Sequence, residues 1–181
     1  NNIFPNVRLI NAPDDFKVIY NTQEEDLKEL QAKGIRSVMK EHTTFHRILQ
    51  IAEDVGLTVE EIKGNVLVVL EDDSLLEMYN RQIYDKKGYV MSSELTVEKL
   101  KEYDFVTFFS NDYIYEEYYL EDFISAFKYT DVNFVTKDQN REAHTYVNEI
   151  ESMYKTMIDT SIIKDIKTIE DITNGYNLDN V

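Results

Sequence analysis

Short apolar runs alternate along this chain with segments whose apolar residues recur every three or four positions. Phe105–Phe109 is β-branched and aromatic, the composition of a buried strand. Ser110-Asn111-Asp112 ends it with small polar side chains. In Glu117–Tyr129, residues Tyr119, Leu120, Phe123, Ile124 and Phe127 share one face of a helix, and Val132–Thr136 returns to a strand. Upstream, Asn65–Leu70 is the most hydrophobic strand and runs into Glu71-Asp72-Asp73. Ser74 is placed to cap a helix carrying Leu75, Leu76, Met78, Tyr79 and Ile83; Gly88 ends it before a strand at Tyr89–Ser92. This alternation predicts an α/β fold of three layers, with these four strands in one mainly parallel, Rossmann-like sheet. The polar loops after Leu70 and Phe109 would then meet at the carboxyl edge of the sheet, where open α/β sheets bind ligands.

The amino-terminal part predicts a β-α-β unit. Val7–Ile10 and Phe16–Tyr20 read as strands about the turn Ala12-Pro13-Asp14-Asp15. Asn21 or Thr22 can cap a helix to Lys33, with Glu24, Glu25 and Asp26 in its first turn and Leu27 and Leu30 facing inward. Gly34 is a natural stop, and Ile35–Met39 a further strand. Thr43 or Thr44 caps the next helix, Phe45–Val55. His42 and His46 are four apart, but no third ligand of fitting spacing accompanies them, so they read as structural. Towards the carboxyl terminus, Glu142–Ile150 reads as a strand with SMYKTMI pairing to it. Ser161–Ile166 and Thr168–Ile172 read as short helices, and Gly175 as a break.

At 181 residues the chain allows one domain, or one domain with an attached fragment of a larger protein. No apolar run reaches the length of a membrane span, and the opening NNIFPNVRL lacks the basic and apolar regions of a secretion signal, so a cytoplasmic location is expected. The absence of cysteine excludes disulfides and thiolate-bound zinc. A net charge of −16 repels phosphates, which makes nucleic acid a poor partner. With five glycines and no glycine-rich loop, the phosphate-cradling and dinucleotide fingerprints are excluded. Thirteen tyrosines suit sugar faces, and equally ordinary half-buried packing.

Two stretches carry a resemblance. SNDYIY followed by YYLEDFISAFKYTDVNFVTKD is similar to the metal-site triplet and following helix of family-2, GT-A-type glycosyltransferases. EMYNRQIYDKKGYVM resembles that family's helix ending R-Q-x-Y, through Arg81, Gln82 and Tyr84. Ser110 and Asn111 stand where carboxylates are usual, and Ser92-Ser93-Glu94 where an aspartate holds the donor base, so the resemblance implies a compact or degenerate version over about residues 64–172. It implies a nucleotide-sugar donor, a glycan or cell-surface acceptor, and Mn²⁺ or Mg²⁺ held by Asp112. Ser110, Asn111, Asp72, Asp73 and His144, the last in an E-H-x-Y-like strand, would contact substrate. Glu170 and Asp171 would supply the catalytic base. Asp72 and Asp73 serve equally well as caps of the helix that follows. GIRSVMKEHTTFHR resembles the end of certain GT-B-type glycosyltransferases through His42, Thr43, His46 and Arg47, which divides the chain into residues 1–63 and 64–181. A rival resemblance sets NVLVVLEDD beside the start of a response-regulator receiver domain, with Asp72 and Asp73 binding magnesium and Thr136 and Lys137 as switch residues; a non-catalytic interaction module is the third possibility.

Overall fold

The structure, a computed structural model, describes residues 23–57 and 64–178. The chain divides into two compact units, Asn1–Glu61 and Ile62–Val181. The strands expected at Val7–Ile10 and Phe16–Tyr20 lie outside the described residues.

In the first unit, α1 (Glu24–Glu41) and α2 (Thr44–Asp54) follow one another. The expected strand at Ile35–Met39 is the last part of α1. Gly34 sits inside that helix; a helical glycine costs only about 1 kcal/mol against alanine, which the flanking Gln31, Lys33, Arg36 and Met39, all good helix formers, offset. Leu27 and Leu30, expected to face inward, are exposed. Thr43 Oγ1 and His46 Nδ1 are 2.7 Å apart, so His46 is engaged locally at the start of α2.

The second unit is built on a seven-stranded sheet. Its strands are β1 (Val66–Leu70), β2 (Lys87–Met91), β3 (Phe105–Phe109), β4 (Phe134–Thr136), β5 (Thr145–Val147), β6 (Thr156–Asp159) and β7 (Gly175–Asn177), in the order β2-β1-β3-β6-β4-β7-β5. β1 pairs in parallel with β2 and β3, and β4 with β7. β6 is antiparallel to both β3 and β4, and β5 to β7. The sheet is thus mixed, not mainly parallel. The reason is that SMYKTMI does not pair with the strand before it: Thr156–Asp159 inserts between β3 and β4, where Met157 and Ile158 are fully buried. Gly175 opens a strand where a break was expected; a Cβ there would lie 2.2 Å from the buried Phe134 ring, so only glycine admits this register.

β1 and β3 are buried on both faces. Val66, Val68, Leu70, Phe105 and Phe109 point to one side, against Leu75 and Tyr79 and the face of α5 (Tyr119–Phe127) formed by Tyr119, Leu120, Phe123 and Ile124. Leu67, Val69, Val106 and Phe108 point to the other, against Leu100 of α4 (Val97–Leu100) and Ile163 and Ile169 from 3₁₀ turns. Alternation by twos within each strand thus feeds two cores, and helices or turns cover both faces of a mixed α/β domain. α3 (Leu76–Arg81) follows a 3₁₀ turn at Asp73–Leu75. No helix among the described residues is long and apolar enough to cross a membrane.

Candidate functional site

The directions of the strands decide which loops meet. β1, β2, β3, β4 and β7 all point one way, so the segments after Leu70, Met91, Phe109, Thr136 and Asn177 emerge at one edge, together with the start of β6. There, the loops after β1 and β3 are tied by side chains. Asp72 Oδ1 accepts from the Ser74 backbone N–H at 2.8 Å and from the Ser74 hydroxyl. Asp72 Oδ2 accepts from Asn111 Nδ2 at 2.8 Å, and the Ser74 hydroxyl also lies 2.9 Å from Asn111 Oδ1. These bonds, from the Ser74 hydroxyl first, hold the Asp72 carboxyl below the usual carboxylate range. The Asn111 N–H reaches Glu71 Oε2 at 3.4 Å, and Ser92 Oγ lies 3.5 Å from the Glu71 carbonyl. Asp72, Asn111 and their neighbours therefore form one exposed polar rim across β2, β1 and β3.

The same contacts correct the expected metal site. Asp72 caps the 3₁₀ turn before α3, with Oδ1 accepting from Ser74 and Oδ2 from Asn111. Asp112 is exposed, with its backbone N–H 3.4 Å from Ser110 Oγ. No three His, Cys, Asp or Glu side chains among the described residues are grouped to hold a metal ion, so neither Mn²⁺ nor Mg²⁺ at Asp112 stands, nor the metal-binding GT-A site inferred from the triplet. Of Ser110, Asn111 and Asp112 only Asp112 carries a carboxylate, and one carboxylate is too little anionic oxygen to hold a divalent cation unaided. Ser110, expected to touch substrate, is buried, and its N–H donates to the Tyr115 hydroxyl at 3.0 Å.

The remaining expected residues disperse. Asp73 is exposed in the 3₁₀ turn. His144 lies at the same edge of the sheet, with φ of 59° and Nδ1 3.3 Å from the Tyr176 hydroxyl. Three strands separate it from β3, so roughly 19 Å of edge lies between them at the usual strand spacing. Glu170 and Asp171 are exposed on the 3₁₀ turn Ile166–Asp171, just before β7 begins. The segment that follows is tied to the start of β4, where Asn133 Nδ2 donates to the Thr173 carbonyl at 2.8 Å. The two carboxylates are therefore at the opposite edge from Asp72, Asn111 and Asp112. That opposite edge also holds two surface cavities of about 230 and 220 Å³, lined by Tyr103, Asp104 and Thr160 and by Phe105, Lys128 and Asp131 respectively.

The motif Arg81-Gln82-Tyr84 is structural in two of its three positions. Gln82 is buried; its Nε2 donates to the Glu116 carbonyl at 2.7 Å and its Oε1 accepts from the Leu120 N–H at 3.2 Å. The Tyr84 hydroxyl donates to the Gly64 carbonyl at 2.8 Å, and burial pushes its pKa up to about 12. Arg81 is exposed at the end of α3.

A second polar group at the carboxyl edge escaped the sequence reading. Asp138, just past β4, is 1% exposed. Its Oδ1 accepts from the Asn140 N–H at 2.9 Å, and Arg141 Nε is 2.8 Å from Oδ2. Nearby, Lys155 at the start of β6 lies 5.5 Å above the Tyr113 ring, which stacks on Tyr154 with centroids 6.2 Å apart. The signal was present: Asp138 follows a predicted strand as closely as Asp72 does, but it sits in a polar run that reads as a loop. No family model matches this sequence, and no curated protein or solved structure is significantly similar to it.

Proposed function

We propose that the second unit is a degenerate glycosyltransferase-type domain that binds a nucleotide-sugar at the carboxyl edge of its sheet without a metal ion. The observation that carries this reading is the Asp72–Ser74–Asn111 cross-link, which sets two polar loops side by side at the ends of adjacent parallel strands. Ligands of open α/β sheets bind in that position. The exposed oxygens of Glu71, Asp72 and Asn111 retain lone pairs for sugar hydroxyls. Tyr113 and Tyr154 offer ring faces, and the Lys155 ammonium offers the charge that a diphosphate needs in place of a metal. Transfer chemistry is the weaker half of the resemblance, because Glu170 and Asp171 stand at the other edge and cannot deprotonate an acceptor bound at this one. The receiver-like alternative is disfavoured by topology. Receiver sheets run parallel in the order 2-1-3-4-5, whereas β6 here lies antiparallel between β3 and β4. Its switch residue Lys137 is moreover paired with Asp122 at 3.3 Å.

Thermal unfolding against a panel of nucleotide-sugars, in chelator and again with Mn²⁺, tests this. A ligand that binds only the folded state raises the midpoint by mass action. The expected result is stabilisation by at least one nucleotide-sugar, equal in both buffers and lost in Lys155→Ala. No stabilisation by any of them would leave a non-catalytic interaction module as the better reading.

A further inference from the structure

Between β4 and β6 the chain makes a long excursion that leaves at Asp138 and returns at Glu151, and whose only strand, β5, forms the outer edge of the sheet against β7 alone. The two feet of this excursion are fastened to each other. The Asp138 N–H donates to Asn177 Oδ1 at 2.8 Å, which fixes the first foot to β7. Asn140 bridges the feet, with its N–H on Asp138 Oδ1 at 2.9 Å and its Nδ2 on Glu151 Oε1 at 3.4 Å. Arg141 reaches across as well, placing Nη2 3.1 Å from Glu149 Oε1.

One atom is left over. Asp138 Oδ2 is buried and receives no hydrogen bond, although Arg141 Nε lies 2.8 Å away out of line. A buried carboxylate oxygen without a donor is costly. Asn140 ties the Glu151 carboxyl to that of Asp138, and a protonated Glu151 would supply the missing O–H. We propose that Asp138 and Glu151 share one proton and thereby form a pH-sensitive clasp across the two feet of the excursion. The groups facing the pair are Arg141 and Lys155, both cationic, the amide of Asn140, and Glu149 through its bond to Arg141.

The direction follows from the surroundings. Burial alone would raise the Asp138 carboxyl, but its bonds to Glu151 and the Asn140 N–H and the charges of Arg141 and Lys155 outweigh that and lower it. The bond to Asp138, then burial and the Asp138 charge, raise Glu151. Between these two values the pair holds one proton and the clasp is shut. As pH rises through the raised Glu151 value the proton leaves, two carboxylates face each other, and the stabilisation is lost. As pH falls through the depressed Asp138 value, Arg141 loses its counter-ion and the stabilisation is lost again.

The test is amide hydrogen exchange of the full chain, followed by NMR over a pH series and corrected for intrinsic exchange. Protection of the Asn140 and His144 N–H groups, which donate to Asp138 Oδ1 and the Asn177 carbonyl, reports on the clasp. Protection should fall by up to about tenfold per pH unit as pH rises from the ordinary carboxyl value to the raised Glu151 value, and level off above it. Glu151→Gln keeps a donor and cannot titrate, so its protection should stay constant across that range. Carboxyl ¹³C shifts should place Glu151 above, and Asp138 below, their ordinary values of about 4.3 and 3.9, with Asp138→Asn returning Glu151 to the ordinary range. Flat protection in the wild type, the same pH response in Glu151→Gln, or two ordinary titrations would each overturn the proposal.

Discussion

Tyr115 holds the loop after β3 in place. It is buried, its ring stacks on Phe109 at 3.8 Å, and its hydroxyl accepts the Ser110 N–H at 3.0 Å. The hydroxyl proton is shared between the carbonyls of Tyr154 at 3.2 Å and Phe108 at 3.3 Å. Tyr115→Phe should lower stability by about 1–3 kcal/mol in chemical denaturation, because it strands a buried N–H and leaves the ring packing intact. An unchanged midpoint would mean that the Ser110 N–H finds another partner. Tyr115 was not legible as a tether in the sequence, since a tyrosine in a polar loop looks the same whether its hydroxyl meets solvent or backbone. Asp72 was half legible. Capping and ligand contact were both open for it, and the structure shows the cap, together with a bond to Asn111 that no local pattern announces. Asp138 was missed because its burial depends on Asn177, which joins it from a strand far along the chain.

Among the elements, β1, β3 and α5 stand where the pattern placed them, since each carries a periodicity strong enough to outweigh its neighbours. The elements that moved are weakly patterned. Ile35–Met39 has its apolar residues at Ile35, Val38 and Met39, a spacing of three and four that suits a helix, and it continues α1. Gly175 reads as a break until Phe134 is seen to fill the space its side chain would take. Gln82 joins two elements that the sequence keeps apart. Its amide serves the Glu116 carbonyl and the Leu120 N–H at the start of α5, so the end of α3 and the start of α5 are pinned to one buried group. Gln82→Ala should cost about 1–3 kcal/mol of stability for the unmet partners, and amide exchange should rise first at Leu120. Equal exchange at Leu120 in both proteins would show that Gln82 does not cap α5.

For the whole molecule, strand order settles which loops can act together. Asp72, Asn111, Lys155 and Asp138 come from four separate stretches and share the carboxyl edge because β1, β3 and β4 run the same way and β6 runs back. Sequence alternation was enough to expect an α/β sheet and to bring the loops after β1 and β3 together. It was not enough to place β6, because a strand's partners are chosen by the fit of its two faces between neighbours, and Thr156–Asp159 is too short to declare them. The same strand order sends Glu170 and Asp171 to the far edge, which is why binding without transfer is the function proposed. The most direct measurement is backbone amide chemical-shift mapping of the full chain titrated with a stabilising nucleotide-sugar in the presence of chelator. The account predicts shifts at Asn111, Tyr113, Tyr154 and Lys155, unchanged when Mn²⁺ replaces the chelator. Shifts confined to Tyr103, Asp104 and Thr160 at the opposite edge, or shifts that require the metal, would contradict it.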